Sequence, residues 1–143
     1  MIYVGVDPGA EGGIASVGDV VGAWALPMNE HREPDHAAIL RFFGRKRPVV
    51  VIEEQFLIPR HAGEKEKLTN FGIILGLFLS FAKKIHRVTW NEWQPFMAPG
   101  VPRGDARKAF LIQRARFLFP ALGIQKSGPA DAILLAEFGR LTR

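Results

Sequence analysis

The run Val49-Val50-Val51-Ile52 constrains the fold of this chain more than any other feature of its sequence. Consecutive β-branched apolar residues are typical of a strand that is buried on both faces, because a strand with one wet face alternates apolar and polar residues. Such a strand needs helices above and below its sheet. The sequence therefore predicts an α/β fold built around this run.

Shorter apolar runs predict the other strands. Residues 2–6, 13–17 and 20–25 are separated by glycine-containing turns, which favours three strands in an antiparallel meander. Residues 86–90 form one more predicted strand. We expect a five-stranded mixed sheet, in which two parallel strands extend the meander and helices cover both faces.

Apolar residues at helical spacing predict the helices. Asp35 is the expected N-cap of the first, and residues 90–97 and 105–119 give a short helix and a basic amphipathic helix. The last helix is expected to start near Pro129, which would place Asp131 in its first turn.

The helix predicted over residues 65–84 is apolar nearly all round, so it is either the core helix of the domain or also the seam of a homodimer. Gly72 and Gly76 lie inside it, where each glycine costs about 1 kcal/mol relative to alanine. Close approach of another backbone would explain both glycines.

Composition limits the class of protein. A chain of 143 residues that is 48% hydrophobic suits one domain over residues 1–143. It has no cysteine, and no charged leader precedes its first strand, so we expect a cytoplasmic protein. The longest apolar stretch, Phe71 to Ala82, is too short to span a membrane.

Charge is divided unevenly along the chain. Residues 1–82 carry 8 Lys/Arg and 10 Asp/Glu, a net charge of −2, whereas residues 83–143 carry 11 and 4, a net charge of +7. A basic half suits a polyanionic partner such as nucleic acid, although it could serve solubility alone. Arg103, Arg107 and Lys108 are our candidates for phosphate contacts, or else ordinary surface charges.

Acidic residues stand where predicted core elements end or begin. Asp7 follows the first strand, Glu53 and Glu54 follow the central strand, and Asp131 lies near the start of the last helix. Carboxylates from three core elements can converge on hard divalent cations, which prefer oxygen ligands. Glu53 and Glu54 point to opposite faces of the sheet, so only one can join the cluster, and sequence alone does not choose between them.

Other kinds of site have weaker support. The four histidines, at positions 31, 36, 61 and 86, are not spaced as the ligands of a zinc site usually are. A structural zinc site is also not expected in a chain without cysteine. No serine and histidine pair suggests a nucleophilic triad. The turn after Asp7 matches neither the dinucleotide nor the P-loop spacing, so no nucleotide cofactor is expected.

Taken in order, the motifs of this chain resemble those of the RuvC-like Holliday junction resolvases, particularly the compact phage forms. The motifs are Asp7-Pro8-Gly9 with Gly13-Ile14-Ala15, Val51-Ile52-Glu53, Asn70-Phe71-Gly72 with Gly76, Thr89 to Trp93, and Gly128 to Glu137. The resemblance implies an RNase H-like fold, a homodimer, and cleavage of branched DNA with Mg²⁺ or Mn²⁺, two ions per site. It assigns catalysis and metal binding to Asp7, Glu53 and Asp131, with Glu54 as the alternative glutamate.

One departure from the family pattern concerns Ser127. Members usually carry a fourth acid or a histidine a few residues before the last aspartate, where this chain has Lys126, Ser127 and Gly128. Ser127 could contribute a hydroxyl or only cap the last helix. The missing acid keeps a rival open, a protein that binds DNA junctions without cutting them. An actin-like phosphotransferase would need a second such domain, for which 143 residues leave no room.

Overall fold

The computed structural model describes residues 1–9, 11–55 and 64–143. Its strands are β1 (Ile2–Asp7), β2 (Gly13–Gly18), β3 (Gly22–Ala25), β4 (Val49–Glu53) and β5 (Lys84–Val88). Its helices are α1 (His36–Phe43), α2 (Glu64–Leu79), α3 (Trp90–Met97), α4 (Asp105–Leu118) and α5 (Ser127–Thr142), with a short 3₁₀ turn at Pro120–Leu122.

The strands form one mixed sheet in the order β3-β2-β1-β4-β5. β1, β2 and β3 pair antiparallel, while β4 lies parallel to β1 and to β5. Val6 stands opposite Ile52, so β1 and β4 end side by side with their last residues, Asp7 and Glu53, at the same edge. The predicted α/β class and the five-stranded mixed sheet are confirmed.

Two apolar cores lie on opposite faces of the sheet. On one face α5 packs with α3 and α4 around buried side chains that include Val51, Trp93 and Leu135. On the other face α1 and α2 pack around Val50, Ile52 and further apolar residues. The β4 run therefore alternates between two cores, which explains why all four of its apolar residues are buried.

Glycines let α5 lie directly on the sheet. A β-carbon on Gly5 of β1 would overlap the carbonyl oxygen of Ala132 in α5. At the helix N-terminus, a β-carbon on Gly128 would overlap the carbonyl oxygen of Glu11 in the β1–β2 turn. Because both positions lack a side chain, the first turns of α5 sit against the end of β1, and this contact fixes where Asp131 lies.

Several predicted boundaries are wrong. α2 ends at Leu79 rather than near Lys84, and β5 occupies Lys84–Val88 rather than residues 86–90. The last strand begins earlier than predicted because the apolar run Phe71 to Ala82 continues past the end of α2 and gives no signal of where the helix stops. β3 starts at Gly22, two residues later than predicted.

Three further predictions concern the cap of α1, the loop before α2 and membrane-spanning segments. Asp35 is the N-cap of α1, as predicted, and its Oδ1 accepts a hydrogen bond from the Ala38 amide at 3.1 Å. The predicted loop over residues 59–63, with His61, lies outside the described residues. Within the described ranges, no helix has the length and apolar character needed to cross a membrane.

Candidate active site

Asp7 is placed by the end of β1 and by the turn that follows it. The Gly9 amide donates a hydrogen bond to Asp7 Oδ1 at 3.2 Å, and Gly13 of β2 is the strand partner of Asp7. Val6 points into the core beneath α1 and α2, so Asp7 lies on the opposite face, beneath α5. Burial raises the pKa of Asp7, which the Gly9 hydrogen bond and the positive charge of Lys67 partly offset.

Glu53 ends β4 beside Asp7, on the same face of the sheet. The indole nitrogen Nε1 of Trp93 donates a hydrogen bond to Glu53 Oε2 at 2.7 Å. Burial, and then repulsion from Asp7, raises the pKa of Glu53 to about 7, although the Trp93 hydrogen bond acts in the opposite direction. Glu53 is thus a carboxyl group that is held in place but poorly stabilised as an anion.

Glu54 lies on the other face, where Arg87 of β5 binds it. The Arg87 Nε donates to Glu54 Oε2 at 2.7 Å, and Nη2 donates to the other carboxylate oxygen. A glutamate that faces away from the cluster can lie in solvent or pair with a basic residue, and Glu54 pairs with Arg87. The structure therefore brings Glu53 toward Asp7 and Asp131, and it takes Glu54 away from them.

Asp131 projects from the second turn of α5 rather than from its first. The helix begins at Ser127, two residues before Pro129, with Lys126 as its N-cap and no acidic residue in the first turn. The helix dipole at an N-terminus therefore does not account for Asp131, because its effect fades within the first turn. Burial, then repulsion from Asp7 and Glu53, raises the pKa of Asp131 to about 8, and Lys108 partly offsets this.

Ser127 is the first residue of α5 and is half-buried. It is not the N-cap, since Lys126 occupies that position and makes no side-chain cap. The expectation that Ser127 only caps the helix is therefore wrong. Ser127 lines the same pocket as Asp131, one helical turn before it.

The three acids line one open pocket of about 510 Å³. All predicted site residues line it except Glu54: Asp7, Glu53, Asp131, Ser127, Arg103, Arg107 and Lys108. Acids from β1, β4 and α5 thus face cations from the loop before α4 and from α4 itself. Charges of both signs in one cleft suit a ligand that carries phosphate groups together with metal ions.

The cations differ in what holds them. The Arg107 guanidinium donates two hydrogen bonds to the Val101 carbonyl oxygen, at 3.0 and 3.1 Å, so it also braces the loop before α4. The Arg103 guanidinium lies 3.7 Å from the centre of the Trp90 ring. Lys108 is close enough to Asp131 to lower its pKa.

Lys67, Trp93 and Gln94 are not among the site residues predicted from the sequence. Lys67 of α2 and Gln94 of α3 line the pocket. Trp93 lies outside the pocket lining and donates a hydrogen bond to Glu53. The only signal in the sequence was the spacing of Trp90 and Trp93, which puts both on one side of a helix. Lys67 gave no signal, since a lysine in a first helical turn is usually a solvated charge.

Whether the pocket suits a metal ion depends on its donors and on their spacing. Carboxylates are the ligands that Mg²⁺ and Mn²⁺ prefer. Burial raises the pKa of all three acids, and repulsion between carboxylates raises the pKa of Glu53 and Asp131 further, so a bound cation would favour the charged forms. Among the described residues, no three acidic or histidine side chains are grouped closely enough to hold an ion between them. The donor chemistry of the pocket fits a hard divalent ion.

No protein-family model matches the chain, and no curated protein matches it by sequence. Solved structures do match. Thermus thermophilus RuvC in complex with a Holliday junction substrate has a TM-score of 0.70 and 19% sequence identity, over 96% of this chain and 92% of that chain. A structure of Thermus thermophilus RuvC has a TM-score of 0.66 and 21% identity, over 99% and 96% of the two chains. The fold is RuvC-like.

The RuvC-like fold spans nearly the whole of this chain, which confirms the fold predicted from the order of its motifs. At 19% and 21% identity the likeness is one of fold. The roles of individual residues rest on the geometry of the pocket.

Proposed function

We propose that this protein is a divalent-metal-dependent endodeoxyribonuclease that cleaves four-way (Holliday) junctions and related branched DNA. The observation that carries the proposal is the convergence of Asp7, Glu53 and Asp131 from three core elements in a cleft whose other wall is basic. The RuvC-like fold supports the choice of substrate, since one structural neighbour is RuvC bound to a Holliday junction substrate. Such an enzyme would act in the cytoplasm of a bacterium or a phage-infected cell.

Each part of the pocket has a task in this proposal. Two Mg²⁺ or Mn²⁺ ions held by Asp7, Glu53 and Asp131 would lower the pKa of a water molecule and stabilise the charge that develops on the leaving oxygen. The carboxylates must be deprotonated to bind cations, so their raised pKa values fall once the cations are present. Ser127 lines the same pocket as Asp131 and would contribute a hydroxyl group.

Basic side chains hold the DNA in the proposed reaction. Arg103, Arg107 and Lys108 contact backbone phosphates, and they position the scissile phosphodiester against the acids. The water oxygen bonds to phosphorus as the bond from phosphorus to the 3′ oxygen breaks. The products are a 5′-phosphate and a 3′-hydroxyl, and no histidine base is needed.

A labelled four-way junction tests the proposal directly. The wild-type protein should cut it in Mg²⁺ or Mn²⁺ and leave it intact in EDTA, whereas a linear duplex of the same sequence should remain uncut in all three. The cut strands should carry 5′-phosphates, which ligase can reseal. Binding of the junction without any cleavage in either metal would contradict the proposal.

The second candidate is a junction-binding protein without nuclease activity. Two observations favour it: the described acids do not enclose a metal site, and Ser127 stands where a fourth acid is expected. Such a protein would bind the junction both in Mg²⁺ and in EDTA and would never cut it. The assay above therefore separates the two candidates.

We also propose a homodimer that forms through the outer face of α2. Phe78 cannot take part, because it is 1% exposed and packs in the core against Phe81. The exposed face carries Gly72 and Gly76, where an added β-carbon would meet nothing within 4 Å, and Leu79, which is 68% exposed. That surface leaves room for a second backbone.

Light scattering of two matched variants tests the dimer. Leu79→Glu puts a charge on the α2 face and should give a folded monomer, because a charge in an apolar interface is costly. Leu40→Glu puts the same charge on α1, where Leu40 is 47% exposed, and should remain a dimer. A dimeric Leu79→Glu protein would exclude this face.

A further inference from the structure

Helix α3 contributes to the pocket although it carries none of the predicted catalytic acids. Its start is fixed by a capping box, in which the Thr89 amide donates to Glu92 Oε1 at 3.1 Å and the Thr89 hydroxyl lies 3.3 Å from the same oxygen. Trp90 and Trp93 lie three residues apart, on one side of the helix. Each of them contacts a different polar side chain of the pocket.

Trp93 acts on the acidic side of the pocket. Its ring is fully buried among apolar side chains of α3, α4 and α5, so it has little freedom to move. Its one polar atom donates to Glu53 Oε2 at 2.7 Å, which is a short, charge-assisted hydrogen bond. This hydrogen bond fixes the orientation of the Glu53 carboxylate and leaves its other lone-pair sites for the pocket.

Trp90 acts on the basic side. The Arg103 guanidinium stacks 3.7 Å from the centre of the Trp90 ring, a geometry in which the cation is attracted to the ring face. Arg103 comes from an exposed loop and precedes Gly104, whose φ is 113°. A long side chain on such a loop samples many positions, and the ring confines it beside the pocket that it lines.

We propose that α3 is the positioning element of this pocket, with Trp93 fixing the Glu53 carboxylate and Trp90 holding Arg103 for a phosphate of the DNA. This inference rests on the proposed nuclease function and adds two positioning residues to it. The tasks are separate, because Glu53 belongs to the metal-binding side and Arg103 to the DNA-binding side. Loss of either tryptophan should therefore damage a different step.

Two substitutions test this separation. Trp93→Phe keeps most of the buried apolar volume and removes the N–H donor, whereas Trp90→Leu removes the aromatic face that Arg103 stacks on. Trp90→Phe keeps an aromatic face and should restore most of what Trp90→Leu loses. Trp24→Phe, on β3 outside the pocket, is the control for losing a tryptophan.

Metal binding is measured first, as the Mn²⁺ concentration that half-saturates the protein in a calorimetric titration. Trp93→Phe should raise this concentration about 10- to 100-fold, the usual cost of removing a group that orients a metal ligand. Trp90→Leu and Trp24→Phe should leave it unchanged. A Trp93→Phe protein that melts at a lower temperature but keeps the wild-type Mn²⁺ midpoint would show that Trp93 is only structural.

Junction binding is measured in EDTA, so that metal ions play no part. Trp90→Leu should weaken binding about 2- to 5-fold, as expected for loss of an exposed cation–π contact, and Trp93→Phe should bind like wild type. In cleavage assays Trp93→Phe should lower kcat, while Trp90→Leu should raise KM with little change in kcat. Equal effects of the two variants on both parameters would overturn the proposal.

A fluorescence measurement covers the case in which Trp93→Phe fails to fold. The chain has three tryptophans, so Trp24→Phe with Trp90→Phe leaves Trp93 as the only emitter. Mg²⁺ should shift its emission at the concentration at which calorimetry detects binding. Mg²⁺ binding without any shift would overturn the role of Trp93.

Failure of the proposed nuclease function can be told apart from failure of the role proposed for Trp90. If the wild-type protein binds no Mn²⁺ and cuts no junction, the nuclease proposal and the role of Trp93 are both wrong. The role of Trp90 is still decided by binding in EDTA, since that measurement requires no metal ion and no cleavage.

Discussion

Two groups of acids on the same scaffold have opposite surroundings. Glu54 and Glu137 are each held by an arginine, Glu54 by Arg87 and Glu137 by Arg140, with a hydrogen bond of 2.7 Å in each pair. Asp7, Glu53 and Asp131 share a pocket, and within the described part of the chain no cation forms a salt bridge with any of them.

The contrast is sharpest between neighbours in the sequence. Glu53 and Glu54 differ by one position, yet one hydrogen bonds to a neutral indole and the other to a guanidinium. The paired acid needs no further partner. The pocket acids repel one another and have raised pKa values, so they gain most from a divalent cation. In the proposed function the acids of the cleft bind metal ions, whereas Glu54 and Glu137 are already paired with arginines.

The largest expected effect separates Glu53 from Glu54. Glu53→Gln, Asp7→Asn and Asp131→Asn should each lower the rate of junction cleavage at least about 100-fold, since a group that supports transition-state charge is commonly worth 10²–10³-fold. Each should still bind the junction in EDTA, because basic side chains hold the phosphates. Glu54→Gln should cut within a few-fold of wild type. An inactive Glu54→Gln protein beside an active Glu53→Gln protein would reverse the assignment.

The next effect is on stability and its dependence on pH. Asp131 and Glu53 have pKa values of about 8 and about 7 in the folded protein, against 3.8 and 4.5 ordinarily, so the folded state binds more protons than the unfolded state between about pH 4 and 8. The metal-free protein should therefore lose stability as the pH rises through that window, and change little beyond it.

Asp131→Asn is the matched test of this pH dependence. Without the ionisable group, the melting temperature in EDTA should fall less between pH 4 and 8, and at pH 8 it should exceed that of wild type. Adding Mg²⁺ at pH 8 should stabilise the wild-type protein more than the variant. If the melting temperatures of the two proteins change in parallel with pH, the pKa of Asp131 is not raised in the folded protein.

A smaller effect is expected at Ser127. Ser127→Asp adds a carboxylate one turn before Asp131, so it should lower the Mg²⁺ concentration for half-maximal cleavage by a few-fold and lower the Mn²⁺ requirement less, because Mg²⁺ demands more regular geometry. The same substitution should destabilise the metal-free protein at pH 8 by adding repulsion. Ser127→Asn, similar in size and uncharged, is the control. Overlapping Mg²⁺ titrations for all three proteins would place Ser127 outside the site.

The smallest effect belongs to the paired acids. The Arg87 side chain is 50% exposed and that of Glu54 is 20% exposed, so solvent weakens their interaction. Arg87→Ala should lower the free energy of unfolding, and the coupling energy in a double-mutant cycle with Glu54→Ala should be about 0.2–1 kcal/mol. Urea titrations measure it, and junction cleavage should be unaffected. A coupling energy above this range would show that the Arg87–Glu54 pair stabilises the fold more than an exposed salt bridge does.

Sequence alone determined the sheet and the positions of the acids along it. The Val49 to Ile52 run implied a central strand, and parallel strands end at one edge, so Asp7 and the Glu53-Glu54 pair had to lie near each other. These inferences need only local patterns and the geometry of a strand. The boundary between α2 and β5 could not be found in this way, because apolar residues continue past the end of the helix at Leu79.

Tertiary structure decided which acids share the pocket and what surrounds them. Glu53 faces Asp7 because it shares a face of β4 with Val51, whose side chain lies in the core that α5 covers. Gly5 and Gly128 let α5 lie close enough to bring Asp131 to the same place. Trp93 reaches Glu53 across 40 positions of sequence, and Lys67 reaches the pocket from another helix. Sequence periodicity tells which face of an element is buried, but contacts between distant elements depend on how those elements pack, and the chemistry of this pocket is set by such contacts.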